Sequence, residues 1–94
     1  SIPVDSELPP GLIFKIQIGS YSKLPEGEKL NGLYPLYSNK LQNNLYRCSV
    51  GEFRTYSEAK EAQKVVRESG FSDAFLISFY NGVKIPVSKA VNLQ

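Results

Sequence analysis

The chain has 94 residues, enough for one hydrophobic core but not for two. A hydrophobic content of 41% with six prolines excludes a disordered chain, and a net charge of +2 with both signs scattered offers no basic run for nucleic acid or a membrane surface. There is no histidine and one cysteine, Cys48, which excludes a His-based triad, a His-containing zinc site, a thiolate cluster and an internal disulfide. The inventory points to a binding module rather than an enzyme, with no catalytic residue, no metal and no cofactor.

Residues 1–11 hold Pro3, Pro9 and Pro10 and show no strand pattern, so they read as a linker or N-terminal arm, with one domain over 12–94. The opening Ser1-Ile2-Pro3-Val4-Asp5 carries no secretory signal and reads as a trimmed start, so the parent protein is expected to be larger. From Leu12 the pattern changes. Ile13-Phe14-Lys15-Ile16-Gln17-Ile18 alternates as a half-buried strand, with Phe14, Ile16 and Ile18 on one face and Lys15 and Gln17 on the other.

Between Ser22 and Asn44, Pro25, Gly27, Gly32 and Pro35 break any long helix and leave one turn around Glu28–Leu33. Leu36–Lys40 predicts a strand, joined through Gln42-Asn43-Asn44 to the next. That next segment, Tyr46-Arg47-Cys48-Ser49-Val50-Gly51-Glu52-Phe53, repeats the residue classes of Phe14-Lys15-Ile16-Gln17-Ile18-Gly19-Ser20-Tyr21 at an offset of 32 residues. Its strand should bury Tyr46, Cys48 and Val50 and present Arg47 and Ser49 on the other face. Gly19 and Gly51 read as bulges or tight strand exits.

Thr55-Tyr56-Ser57-Glu58 has capping-box spacing and predicts a helix over Ser57–Ser69, stopped by Gly70. Ala59, Ala62, Val65 and Val66 form its apolar stripe, while Lys60, Glu61, Lys64 and Arg67 face water. Ala74–Tyr80 is a strand, and side-chain volume argues Phe75, Ile77 and Phe79 inward over Ala74 and Ser78. It is the longest uncharged apolar stretch and far short of the roughly 20 residues that span a bilayer, so no membrane contact is expected from this fragment. Asn81-Gly82 is a hairpin turn leading into Val83-Lys84-Ile85.

The expected fold class is α+β: a ferredoxin-like β-α-β-β-α-β four-stranded sheet with helices on one face, a short or degenerate first helix and an extra C-terminal hairpin. Its other face is left open and carries Lys15, Gln17, Arg47 and Ser49. Phe14, Tyr46, Phe53 and Phe71 belong to the core, and Tyr21, Tyr37 and Tyr80 are candidate stacking surfaces. Cys48, alternating with Arg47, is a core thiol rather than a nucleophile.

Taken together, Phe14–Tyr21, Tyr46–Phe53, Ser57-Glu58-Ala59 and the Lys64–Gly70 helix end resemble, in order and spacing, the motifs of the SPOR domain of bacterial envelope and cell-division proteins. The resemblance runs from about Leu12 to Phe79, and the added hairpin is similar to forms of the domain in Bacteroidetes-type envelope proteins. It implies a non-catalytic, periplasm-facing module whose open sheet face binds peptidoglycan glycan strands lacking stem peptides. It also implies that the module targets a larger envelope protein to septal or remodelled wall. The matching glycan-face residues are Gln17, Ser20 and Arg47. Leu45 stands where some members place a tryptophan, and an aliphatic side chain has no π face for sugar stacking.

Two rival readings use the same sheet. One is a protein-interaction domain that docks another envelope component by its face or an edge strand. The other is a single-stranded RNA binder, for which Arg47-Cys48-Ser49-Val50 lacks the glycine and outward aromatic of RNA-recognition strands, and a charge of +2 is weak for phosphate. No nucleic-acid partner is therefore expected.

Overall fold

The computed structural model of the chain describes residues 2–25, 30 and 32–94. Five strands and two helices follow in the order β1 (Leu12–Tyr21), β2 (Leu36–Lys40), β3 (Tyr46–Phe53), α1 (Tyr56–Glu68), β4 (Phe75–Tyr80), β5 (Val83–Ile85) and α2 (Val87–Val91). The strands form one antiparallel sheet ordered β2-β3-β1-β4-β5, an α+β arrangement compatible with a ferredoxin-like fold. The expected four strands become five because the hairpin is not an appendage. β5 pairs with β4 through Ser78↔Ile85 and Tyr80↔Val83, and the Ser78 hydroxyl donates to the Ile85 carbonyl at 2.7 Å. The turn expected around Glu28–Leu33 falls largely outside the described residues. The five-residue α2 had no signal in the sequence; it caps the sheet end by placing Ala90 against Phe14 and Ala59.

Alternation in β1 and β3 turns Phe14, Ile16, Ile18 and Val50 toward α1, where Val66 and Ala62 of the helix meet them with Ala74 from the entry to β4. Two irregularities in the β1–β3 ladder fall where glycine makes them possible. Between the pairs Phe14↔Phe53 and Ile16↔Val50, β3 spends two residues, Gly51 and Glu52, opposite Lys15 alone. Gly51 has φ +77, and a Cβ there would run into the Phe53 ring. The second bulge, between Gln17 and Gly19, lets Ile18 stay in the core while Ser20 comes level with Arg47.

The α1 N-terminus is held by Thr55, whose hydroxyl accepts from the Glu58 amide at 3.3 Å and donates to the Glu58 carboxylate at 2.8 Å. The carboxylate is thus satisfied by the hydroxyl instead of the reciprocal backbone donor the capping box predicts. The buried face of α1 is Ala59, Gln63 and Val66, with Ala62 alongside, and Val65 is 60% exposed. Val65 lies about 100° around the helix from Val66, outside the stripe that runs i, i+4, i+7 from Ala59. Gln63 takes its place because its amide donates to the Ala74 carbonyl at 3.0 Å, a bond joined by Arg67 Nε at 2.9 Å.

The sequence leaves the register of β4 open, and the structure settles it against the argument from side-chain volume. Phe14 and Ile16 pair with Ser78 and Leu76, so Ala74, Leu76 and Ser78 face the helices, while Phe75, Ile77 and Phe79 lie opposite Gln17, Lys15 and Ile13. Volume misled because the space beneath α1 and α2 is already filled by Phe14, Phe53 and Ala90, leaving room for a serine whose hydroxyl finds the Ile85 carbonyl.

A polar sheet face crossed by the N-terminal arm

The polar part of the face turned away from α1 is built by three neighbouring strands, with Ile77 and Phe79 of β4 on its apolar side. β1 contributes Lys15, Gln17 and Ser20; β3 contributes Arg47, Ser49 and Glu52; β2 contributes Tyr37 and Asn39. Cross-strand pairs set their order: Gln17 and Tyr37 flank Ser49, and Ser20 and Asn39 flank Arg47. Sheet register thus brings Gln17, Ser20, Arg47, Lys15 and Ser49 onto one surface. Leu45 lies half-buried in the β2–β3 turn, its amide bonded to the Asn43 side chain and its carbonyl accepting from the Leu41 amide.

This face is not open, as alternation alone would have it. Lys15 is 5% exposed and Ser49 1%, while Gln17 and Arg47 are half-buried and Ser20 is exposed. Part of the cover over Lys15 is the N-terminal arm. Val4 bridges Ser38 on the free edge of β2, the Ser38 amide and hydroxyl both donate to the Pro3 carbonyl, and the Asp5 amide donates to the Ser38 carbonyl at 2.8 Å. Asp5 then takes a left-handed φ of +51 and its carboxylate accepts from Asn39 Nδ2 and from the Lys40 amide. Beyond this pivot Ser6 and Leu8 line a narrow cleft with Lys15, Tyr37 and Asn39. Arg54 catches the Pro10 carbonyl at 2.7 Å where the chain enters β1.

Beneath the arm, Lys15 Nζ lies 3.7 Å from the centroid of the Tyr37 ring and 3.8 Å from Glu52 Oε2. Burial lowers the Lys15 pKa; Glu52 pulls it back up, and Arg47 adds a smaller lowering push. Burial and the charge and hydrogen bond of Glu52 raise the Tyr37 phenol. Tyr37 is therefore already engaged as the seat of Lys15, and Glu52, which the sequence did not single out, is the counter-ion that the Gly51 bulge delivers. Among the described residues, two buried polar atoms on this face have no hydrogen-bond partner, Arg47 Nε and Ser49 Oγ.

Phe75 is the residue that side-chain volume placed wrongly and the structure makes interesting. It stands opposite Gln17 on β4 and is 47% exposed, an aromatic ring at the border of the polar surface. Tyr80 is exposed at the distant hairpin, and Tyr21 pairs with Tyr46. Burial pushes the Cys48 thiol up on the opposite side of the sheet, so its thiolate is disfavoured and it does not belong to the polar surface. Among the described residues, no group of three or more Asp, Glu or Cys side chains could hold a metal ion.

The face can thus present a bidentate cation, neutral donors and acceptors and a flanking aromatic ring on rigid strands, a set suited to binding a polar, anionic ligand. No curated protein and no solved structure matches the chain. The sequence model of the SPOR domain matches residues 13–78, from the first strand through β4 and so across every strand that builds this face. With the motifs of both echoing strands and of α1 inside that match, the chain belongs to the SPOR domain family, which is known for peptidoglycan binding in bacterial envelope proteins.

Proposed function

We propose that this domain binds peptidoglycan glycan strands lacking stem peptides through the face opposite α1, and thereby targets a larger envelope protein to septal or remodelled wall. The observation that carries the reading is Arg47, set on β3 between Ser20 and Asn39 with its Nε lacking an internal partner. A muramic acid residue without its peptide exposes a lactyl carboxylate, and a guanidinium grips such a group with two parallel hydrogen bonds. Gln17 and Ser20 supply the neutral donors and acceptors that sugar hydroxyls need, and Ser49 Oγ is a further unpaired group beside Gln17. Phe75, rather than Leu45, offers the ring against which a pyranose can stack.

Retention on insoluble peptidoglycan, before and after an amidase has removed the stem peptides, tests the reading. Retention should rise after amidase treatment and stay nearly constant across moderate salt, unlike the steep salt dependence of a nucleic-acid binder. Retention that falls after amidase treatment would reject the preference for bare glycan. Absence of retention on either material would favour a protein partner.

A further inference from the structure

The segment that crosses the candidate face is tied down at its two ends and rests on it lightly between them. At one end are the bonds of Pro3 and Asp5 to β2, at the other the bond of Arg54 to the Pro10 carbonyl. Between them Leu8 and Pro9 are half-buried, Leu8 set against Lys15 and Tyr37, while Ser6 and Glu7 are exposed. Leu8 and Pro9 each precede a proline, which holds their backbone extended and keeps the crossing from collapsing into a turn. The arm lies against Lys15, Tyr37 and Asn39, and the cross-strand neighbours of Tyr37 and Asn39 are Ser49 and Arg47, whose Oγ and Nε have no hydrogen-bond partner. Buried groups in that state cost free energy that a hydrogen-bonding ligand would recover.

We propose that residues Pro3–Pro10 form a displaceable strap, latched by Asp5, that closes the Lys15–Tyr37 part of the face and must leave for a glycan chain to occupy it. The inference rests on the glycan reading and adds its regulation: an extended segment of the chain competes with the extended ligand for one surface. Asp5 is suited to a latch because one short side chain both tolerates the left-handed pivot and accepts two hydrogen bonds from β2. Anything that pulls on or binds the arm would then raise the fraction of open face.

The test uses the full chain. Asp5→Ala removes both latch bonds and disfavours the pivot, and Leu8→Ser removes the apolar contact. Asp5→Asn keeps an acceptor oxygen and the left-handed preference while removing the charge. Two quantities are measured on each variant: the rate at which an amine reagent modifies Lys15, and affinity for purified peptide-free glycan chains. In Asp5→Ala and in the Asp5→Ala/Leu8→Ser double variant, Lys15 should be modified faster. Affinity should rise about three- to tenfold, as for a wild-type face competent roughly a third to a tenth of the time. Asp5→Asn should behave like the wild type. An equal gain in Asp5→Asn would mean that removing an anion, not opening a strap, helps an anionic ligand, and would overturn the proposal. Unchanged or weaker binding by the opened variants, with the wild type still binding, overturns the strap alone. No binding by any of them removes the glycan reading and the strap with it.

Discussion

Arg47 and Cys48 are chain neighbours with opposite fates, because successive side chains of a strand leave on opposite faces. Arg47→Ala should weaken glycan binding by about 1.5–3 kcal/mol, the range for hydrogen bonds to charged groups. Arg47→Lys should restore only part, since the charge returns without the fork. Titration against peptide-free glycan chains measures both, and equal binding by Arg47→Ala and wild type would dispose of the site. The melting temperature should barely move, because the guanidinium makes no ion pair on which the core depends. Cys48 should react slowly. It is fully buried and burial raises its pKa, so little thiolate is presented at neutral pH. Modification of the native domain at the rate of the urea-unfolded chain would contradict its place in the core.

At the scale of elements, bulges do what regular strands could not. A regular β1–β3 ladder would put Lys15 opposite one residue of β3; the extra residue at Gly51-Glu52 brings the Glu52 carboxylate to the ammonium and still returns Phe53 to the core beside Phe14. Gly51→Ala should therefore destabilise the domain by about 1–3 kcal/mol, from the left-handed φ alone before any adjustment of Phe53. Urea unfolding should show a lower midpoint with an unchanged slope. A midpoint equal to wild type would mean the bulge is not needed. The helix shows the complementary lesson. Its boundaries, its stop at Gly70, φ +109, and the inward Ala59, Ala62 and Val66 were readable from caps and period, whereas the exchange of Val65 for Gln63 was not, because the glutamine reached a carbonyl that belongs to another element.

At the scale of the whole molecule, the arm helps to cover a cation of the sheet face, and the burial of that cation has a pH signature. The unfolded chain keeps the Lys15 proton up to its ordinary value of 10.5, while the folded chain gives it up earlier. Across that window the unfolded state binds more protons, so the cost of burying the charge is present in full below the folded pKa and relieved as pH rises through it. Lys15→Met, of similar shape, removes the term and should be neutral or stabilising near pH 7. Wild type should then gain on the variant as pH rises toward 10.5 in paired urea titrations. Cys48 and Tyr21, whose raised values lower stability in the alkaline range, are common to both chains and drop out of the difference, whereas the raised Tyr37 phenol touches Lys15 and does not, so both chains carry Tyr37→Phe. Parallel pH profiles would show that Lys15 is not buried in solution.

Local chemistry determined much of this protein. Alternation in Phe14–Ile18 and Tyr46–Val50, the glycines at the bulges, the Thr55 cap, the Asn81-Gly82 turn and the two echoing motifs are each read within a few residues, because backbone preference and side-chain period act at that range. They gave the fold class, the family and the residues that share one face. Tertiary structure decided the rest. β4 is apolar at nearly every position, so its facing was set by what β1 and α2 had already filled, and Phe75 went outward. β5 joined the sheet because a hairpin edge pairs wherever a neighbouring strand leaves donors and acceptors open. The cleft over Lys15 is closed in part by an arm anchored to Ser38 and Asn39, more than thirty residues away in the chain, through contacts that no local period encodes.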